Sequence, residues 1–177
     1  ATHEPAIVEV SGGASRVLRS SSQEHLSEDL ISVAQAVSWT SSDGETVHGF
    51  YYAPKNPEFT APEGSLPPLL VNVHGGPTSS ARPGLSIAVQ YWTSRGFAFL
   101  DVNYRGSTGY GRKYRQRLNG HWGVLDVQDC AEGAQYLVSQ GLADPERIAI
   151  RGRSSGGYTV LSALADSDVF TAGTSLF

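Results

Sequence analysis

The sequence predicts an α/β protein, a mostly parallel sheet with helices on its faces. Two observations predict it. Nearly continuous apolar runs at Leu69–Val73, Phe97–Val102, Arg147–Ile150 and Thr171–Phe177 alternate with segments of helical periodicity. Buried parallel strands joined by crossover helices read this way. The second observation is one strand-to-helix junction, Ile148-Ala-Ile-Arg-Gly-Arg-Ser-Ser-Gly-Gly-Tyr158, with Ser154 at the apex of a Gly-X-Ser-X-Gly turn. In a nucleophile elbow the serine sits on a strained turn, and the glycines are needed because side chains there would strike neighbouring backbone. The helix that follows aims its N-terminal amides and positive dipole end at the serine. Ser154 is therefore expected to be the nucleophile of an α/β-hydrolase. The five-residue pattern alone is a weak signal in a chain with 20 glycines, so the context has to carry it.

The bulk numbers bound the rest. A chain of 177 residues, 40% hydrophobic and 17% charged, is of single-domain size and reads as an ordinary globular protein. A net charge of −4 without any Lys/Arg run argues against nucleic acid as the main partner. One cysteine, Cys130, excludes an internal disulfide and a cysteine-cluster metal site. No cofactor or metal is expected. Without a stretch long enough to span a bilayer, or a visible signal peptide, no membrane partner is expected and a cytoplasmic location is the default. Residue 1 is Ala and there is no methionine, which suggests a piece of a longer protein.

Taken in order, Ala6–Val10, a Gly12-Gly13 turn and Ser15–Arg19 read as two short strands of a hairpin. They offer too little apolar surface for a core of their own, and read either as an arm or as the last piece of a preceding all-β domain. Ser20–Asp29 is a polar connector. Ala34–Trp39, a Ser41-Ser-Asp-Gly44 turn and Thr46–Tyr52 form an antiparallel hairpin expected at the sheet's edge. His48 on it is read as structural or exposed. Pro54–Pro68 is a proline-rich surface loop. Leu69–Val73 then ends in His74-Gly-Gly-Pro77. Leu85–Arg95 has helical character and stops at Gly96. After the strand Phe97–Val102 come a Gly/Ser/Thr loop, Tyr104–Gly111, and a short helix, Arg112–Leu118. Val124, Val127, Cys130, Ala131, Ala134, Leu137 and Val138 mark the face of a longer helix, with Asp126 in its first turn. Ala143–Glu146 is a turn into the elbow strand. Thr171–Phe177 starts another buried strand.

In open α/β sheets the site lies at the carboxyl ends of the strands. His74-Gly75-Gly76, Tyr104-Arg105-Gly106 and Ser154 all fall there, and their convergence lifts the serine motif above chance. An acyl-transfer serine needs two N–H donors for the oxyanion of its tetrahedral intermediate. The amide of Ser155 is one, and Gly76, in the loop after an early strand, is the expected second. The base is the gap. The expected order is nucleophile, acid, histidine, yet all five histidines (3, 25, 48, 74 and 121) precede Ser154. Asp166 and Asp168 follow it but sit at the wrong end of the sheet, as solvated turn residues. The sequence thus holds one of three triad members, as expected of a segment that stops before the remaining strands. Dinucleotide binding is a poor alternative, since no Gly-X-Gly-X-X-Gly follows a strand.

These residues resemble the prolyl oligopeptidase family of serine peptidases, in particular its acylaminoacyl peptidase and dipeptidyl aminopeptidase branch. The matching pieces are His74-Gly-Gly-Pro77, Asp101-Val-Asn-Tyr-Arg-Gly-Ser-Thr-Gly-Tyr-Gly-Arg112, Trp122–Asp129, Asp144-Pro-Glu-Arg147 and Gly152–Tyr158. The resemblance implies that residues 1–33 are the tail and linker of a β-propeller and that 34–177 are the first part of a catalytic domain. It implies a Ser154 nucleophile, Gly76 and Ser155 as oxyanion donors, and His74, Gly75, Tyr104, Arg105 and Tyr158 as residues shaping the site, Tyr158 by packing the elbow helix. The substrate would be a short peptide. The missing propeller and C-terminal segment would be partners in the same chain, with homo-oligomerisation left open. The family places small residues beside the nucleophile; here Arg153 and Ser155 stand there instead. Arg153 either forms a structural ion pair or alters substrate preference. Two other readings remain: an esterase or lipase of the same fold, and a catalytically incompetent fragment.

Overall fold

The computed structural model describes residues 3–21 and 26–177. Residues 22–25, in the middle of the expected connector, lie outside the described part, as does His25. Strands β1 (Ala6–Ser11) and β2 (Ala14–Ser20) pair antiparallel as a separate two-stranded sheet. Every residue of both is exposed, so the hairpin carries no core.

The main sheet has six strands: β3 (Gln35–Thr40), β4 (Thr46–Tyr52), β5 (Leu69–Val73), β6 (Ala98–Asn103), β7 (Ile148–Arg153) and β8 (Ala172–Leu176). Their order across the sheet is β3-β4-β6-β5-β7-β8. The last four are parallel to one another, and the β3–β4 hairpin joins β6 antiparallel at one edge. Helices α1 (Ile87–Thr93), α2 (Gly111–Gln116), α3 (Leu125–Ser139) and α4 (Ser155–Asp166), with a short 3-10 turn at Glu28–Leu30, complete the element list. Among the described residues no helix is long and apolar enough to cross a membrane.

Strand alternation divides the core in two. Leu69, Val71 and Val73 of β5, Ala98, Leu100 and Val102 of β6, and Ile148 and Ile150 of β7 face one way, packing with Cys130, Ala134 and Leu137 of α3 and with Val160 and Ala163 of α4. Leu70 and Phe99 face the other way and pack with Val89 of α1 and Tyr52 of β4. These central strands are apolar on both faces because helices lie on both sides. The alternation fails at one row. Asn72, Asp101 and Arg151 are register neighbours across β5, β6 and β7, on the face that carries Leu70.

Three expectations need correction. The expected buried strand at 171–177 forms as β8, but all five of its residues are exposed. It is the outermost strand, it pairs on one side only, and its centre is Gly173-Thr-Ser175 with little to bury. Val124 is not on the buried face of α3; it precedes the helix and is exposed. Helix α1 is shorter than Leu85–Arg95, because Ser86 stays extended and caps it while Ser94 and Gly96 close it.

Candidate active site

The turn after β7 is tight because its glycines leave no choice. A Cβ on Gly152 would come within 2.4 Å of the Gly156 carbonyl oxygen, and one on Gly156 within 2.3 Å of the Val73 carbonyl oxygen. Real Cβ atoms do not approach backbone that closely, so α4 packs on the ends of β5 and β7 only with glycine at both positions. Between them Ser154 takes φ 55°, ψ −124°, a region disfavoured for a side chain and characteristic of functional strain. Its N–H donates to the Leu176 carbonyl at 2.9 Å, and its side chain is exposed. Ser155 opens α4, so its own N–H has no partner within the helix.

Across from the elbow lies the loop after β5. Gly75 abuts Ser154, since a Cβ there would meet the Arg153 carbonyl oxygen at 3.2 Å and the Ser154 Cβ at 3.5 Å. Gly76 has φ 131° and follows with a cis Gly76–Pro77 peptide bond. No hydrogen bond among the described residues engages the Gly76 N–H. A cleft of about 800 Å³ opens between the two loops, lined among others by His74, Gly75, Gly76, Arg153 and Ser154. A larger hollow, about 1400 Å³, lies among Tyr51, Pro54, Thr93, Arg95 and Arg147 at the opposite ends of the strands. None of the strand-end motifs reaches it.

The glycine loop is clamped by its neighbour. His74 stacks on Tyr104 at 4.4 Å between ring centres. His74 Nδ1 lies 2.8 Å from the Gly75 carbonyl, and Nε2 lies 2.7 Å from Ser107 Oγ. A carbonyl only accepts, so Nδ1 carries the proton and Nε2 accepts from the Ser107 hydroxyl. Burial holds the His74 pKa below its ordinary value, against the pull of the Gly75 carbonyl, so the ring stays neutral. The Tyr104 hydroxyl donates to the Pro77 carbonyl at 3.0 Å. Thr108 N–H donates to the Ser79 carbonyl at 2.8 Å, and Asn103 Oδ1 accepts the Ala81 N–H at 2.8 Å. The two loops are thus stitched into one unit.

Arg105 enters the site only through this unit. Its side chain is fully buried and points to α3. Nη2 donates to Asp129 Oδ1 at 2.6 Å, and the Arg105 backbone N–H donates to Asp129 Oδ2 at 2.7 Å. Nη1 pairs with Asp43 at 2.5 Å. Arg105 therefore fixes the loop and lines no part of the cleft. Asp126 does more than sit at a favourable helix end. It is buried, accepts the Gly123 N–H at 2.6 Å and the Thr159 hydroxyl at 2.5 Å, and so ties α3 to the elbow helix. Tyr158 donates its N–H to the Ser154 carbonyl at 3.1 Å, and its half-exposed ring packs on Trp122 at 4.9 Å. His48 stacks on Tyr110 at 4.3 Å and is not among the residues lining the cleft that holds Ser154. Asp166 and Asp168 are exposed. Sequence reasoning missed Ser107, Asn103 and Thr159. Each was inside a quoted motif or helix, but only the fold shows which partner it holds.

Residues 83–176 match the model of the prolyl oligopeptidase family. The chain belongs to that family. It is 37% identical over 110 residues to dipeptidyl aminopeptidase BIII of Pseudoxanthomonas mexicana, covering 62% of this chain and 16% of the relative. It is 38% identical over 110 residues to an acylamino-acid-releasing enzyme of Arabidopsis thaliana, covering 62% of this chain and 14% of that protein. A puromycin-hydrolyzing peptidase of Mycobacterium tuberculosis superposes with a TM-score of 0.94 at 46% identity, over 96% of this chain and 26% of that one. The fold is accordingly the α/β-hydrolase fold expected from the sequence, with a small antiparallel sheet beside it. The chain spans between about a seventh and a quarter of the length of these relatives.

Proposed function

We propose that this chain is the nucleophile-bearing part of a serine peptidase, with Ser154 forming the acyl-enzyme. The single observation that carries the reading is the strained Ser154, held by Gly152 and Gly156 against the loop containing Gly75 and Gly76. In this reading Ser154 Oγ attacks the carbonyl carbon of a peptide bond. The developing oxyanion accepts hydrogen bonds from the Gly76 and Ser155 N–H groups, each typically contributing a factor of ~10²–10³ in turnover. The base takes the Ser154 proton during attack and hands it to the departing amine, and collapse leaves an ester on Ser154, which water then hydrolyses.

The base is not His74. Both its ring nitrogens are engaged, and it serves the oxyanion loop. The acid and the histidine belong, in this reading, to sequence outside these 177 residues. Residues 1–33 are then the tail of a preceding propeller and its linker, and 34–177 the first part of the catalytic domain. The exposed β1–β2 hairpin, without a core of its own, supports that division. The substrates are short peptides and aminoacyl amides, in keeping with the names of the relatives.

The test uses the full-length protein and a fluorophosphonate probe. Labelling should fall on Ser154 and vanish in Ser154→Ala. An aminoacyl p-nitroanilide should be cleaved as well as the matching ester. Hydrolysis of the ester alone would move the assignment to an esterase, and labelling that survives Ser154→Ala would overturn it.

A further inference from the structure

Resting on the peptidase reading, we propose that Arg153 is a specificity residue that recognises a peptide carboxylate close to the scissile bond. Strand alternation sets its direction. Ile148 and Ile150 of β7 are buried on the side of α3 and α4, so Arg151 and Arg153 project from the opposite face. Both line the cleft that holds Ser154, and among the described residues no Asp or Glu lines it. In a chain of net charge −4, that cleft presents two guanidinium groups and a neutral histidine.

The two arginines are not equivalent. Arg151 lies in the row with Asn72 and Asp101, and its charge acts on the Asp101 carboxyl. Arg153 is exposed, and its side chain has no hydrogen bond or ion pair among the described residues. It also directly precedes the nucleophile, with the two Cα atoms ~3.8 Å apart. An extended peptide advances ~3.3–3.6 Å per residue, so this side chain reaches groups one or two residues from the bond under attack. A guanidinium offers a planar fork of donors that fits a carboxylate bidentately. Two peptide groups supply that chemistry: a free C-terminal carboxylate on the leaving side, or an Asp or Glu side chain on either side.

The test measures kcat/KM of the full-length protein on matched pairs. Ala-Ala-Phe as the free acid against its C-terminal amide reports the terminal carboxylate. Ala-Asp-p-nitroanilide against Ala-Asn-p-nitroanilide reports the side chain. The wild type should favour the acid member of at least one pair by about tenfold, and 0.5 M NaCl should shrink the preference. Arg153→Gln should bring that ratio near unity, and Arg153→Lys should keep part of it. The ratio cancels any general damage to the site. Ratios near unity in the wild type, or a preference unchanged by Arg153→Gln, would overturn the proposal. Failure of the peptidase reading looks different, since no substrate of either pair would then be cleaved. In that event calorimetry on Ser154→Ala protein decides. The free acid should bind about tenfold tighter than the amide and lose the advantage when Arg153→Gln is added; equal binding of acid and amide would refute it.

Discussion

Replacing Arg105 by methionine should unfold this sheet more easily than any change at the cleft's surface. The wild-type guanidinium is fully buried, and its Nε and Nη2 hold both oxygens of Asp129, itself fully buried. Arg105→Met leaves that carboxylate with only the Arg105 backbone N–H. Breaking one side of a buried pair costs about 3–5 kcal/mol, because the remaining charge is uncompensated. The double variant Arg105→Met/Asp129→Leu removes the stranded charge. It should recover most of the loss and stop about 1–3 kcal/mol short of wild type, the cost of the amide left without its acceptor. Urea unfolding of the full-length protein, followed by fluorescence of its tryptophans, measures all three differences. A single variant that loses less than about 1 kcal/mol, or a double variant as unstable as Arg105→Met alone, would refute the assignment of Arg105 to the framework.

Two further outcomes are expected. Gly156→Ala forces a Cβ to 2.3 Å from the Val73 carbonyl oxygen, so α4 must shift off β5; fluorophosphonate labelling of Ser154 should slow by about 10²-fold or more while circular dichroism still shows a folded chain, and wild-type labelling would contradict the packing argument. Burial raises the Asp101 carboxyl to about 6 from 3.8, opposed by the Asn72 amide and the Arg151 charge. Because the folded value lies above the unfolded one, the carboxyl favours folding below pH ~4 and that contribution is lost as pH rises through about 6. At roughly 1.4 kcal/mol per unit, Asp101→Asn should therefore be more stable than wild type by about 2–3 kcal/mol at pH 8 and by little at pH 4. The same offset at both pH values in urea titrations would refute it.

Much of this was legible in the sequence because the chemistry is local. A glycine on each side of Ser154, after a β-branched run, reports steric demands set by residues within one turn. The alternation of apolar runs and helical faces likewise reports burial on both sides of the central strands. Arg105 was not legible, because Asp129 and Asp43 lie 24 and 62 residues away. An arginine in a Gly/Ser loop looks the same in sequence whether it faces substrate or a buried carboxylate. β8 misled for a different reason. Its length suited a strand, but its centre, Gly173-Thr-Ser175, has little to bury, and burial also depends on what packs against it in the fold. The His74 clamp was half visible: the motif placed the ring at a strand end, while its partner Ser107 lies 33 residues downstream.

The contact between Gly156 and the last carbonyl of β5 has a wider consequence. Ser154 and the Gly75-Gly76 loop grow from adjacent strands and pack backbone to backbone. No hinge separates them, so neither can swing away without tearing the centre of the sheet. These two turns behave as a fixed stop. In the proposed peptidase reading, control over whether a bond is cut falls on whatever is brought up against it.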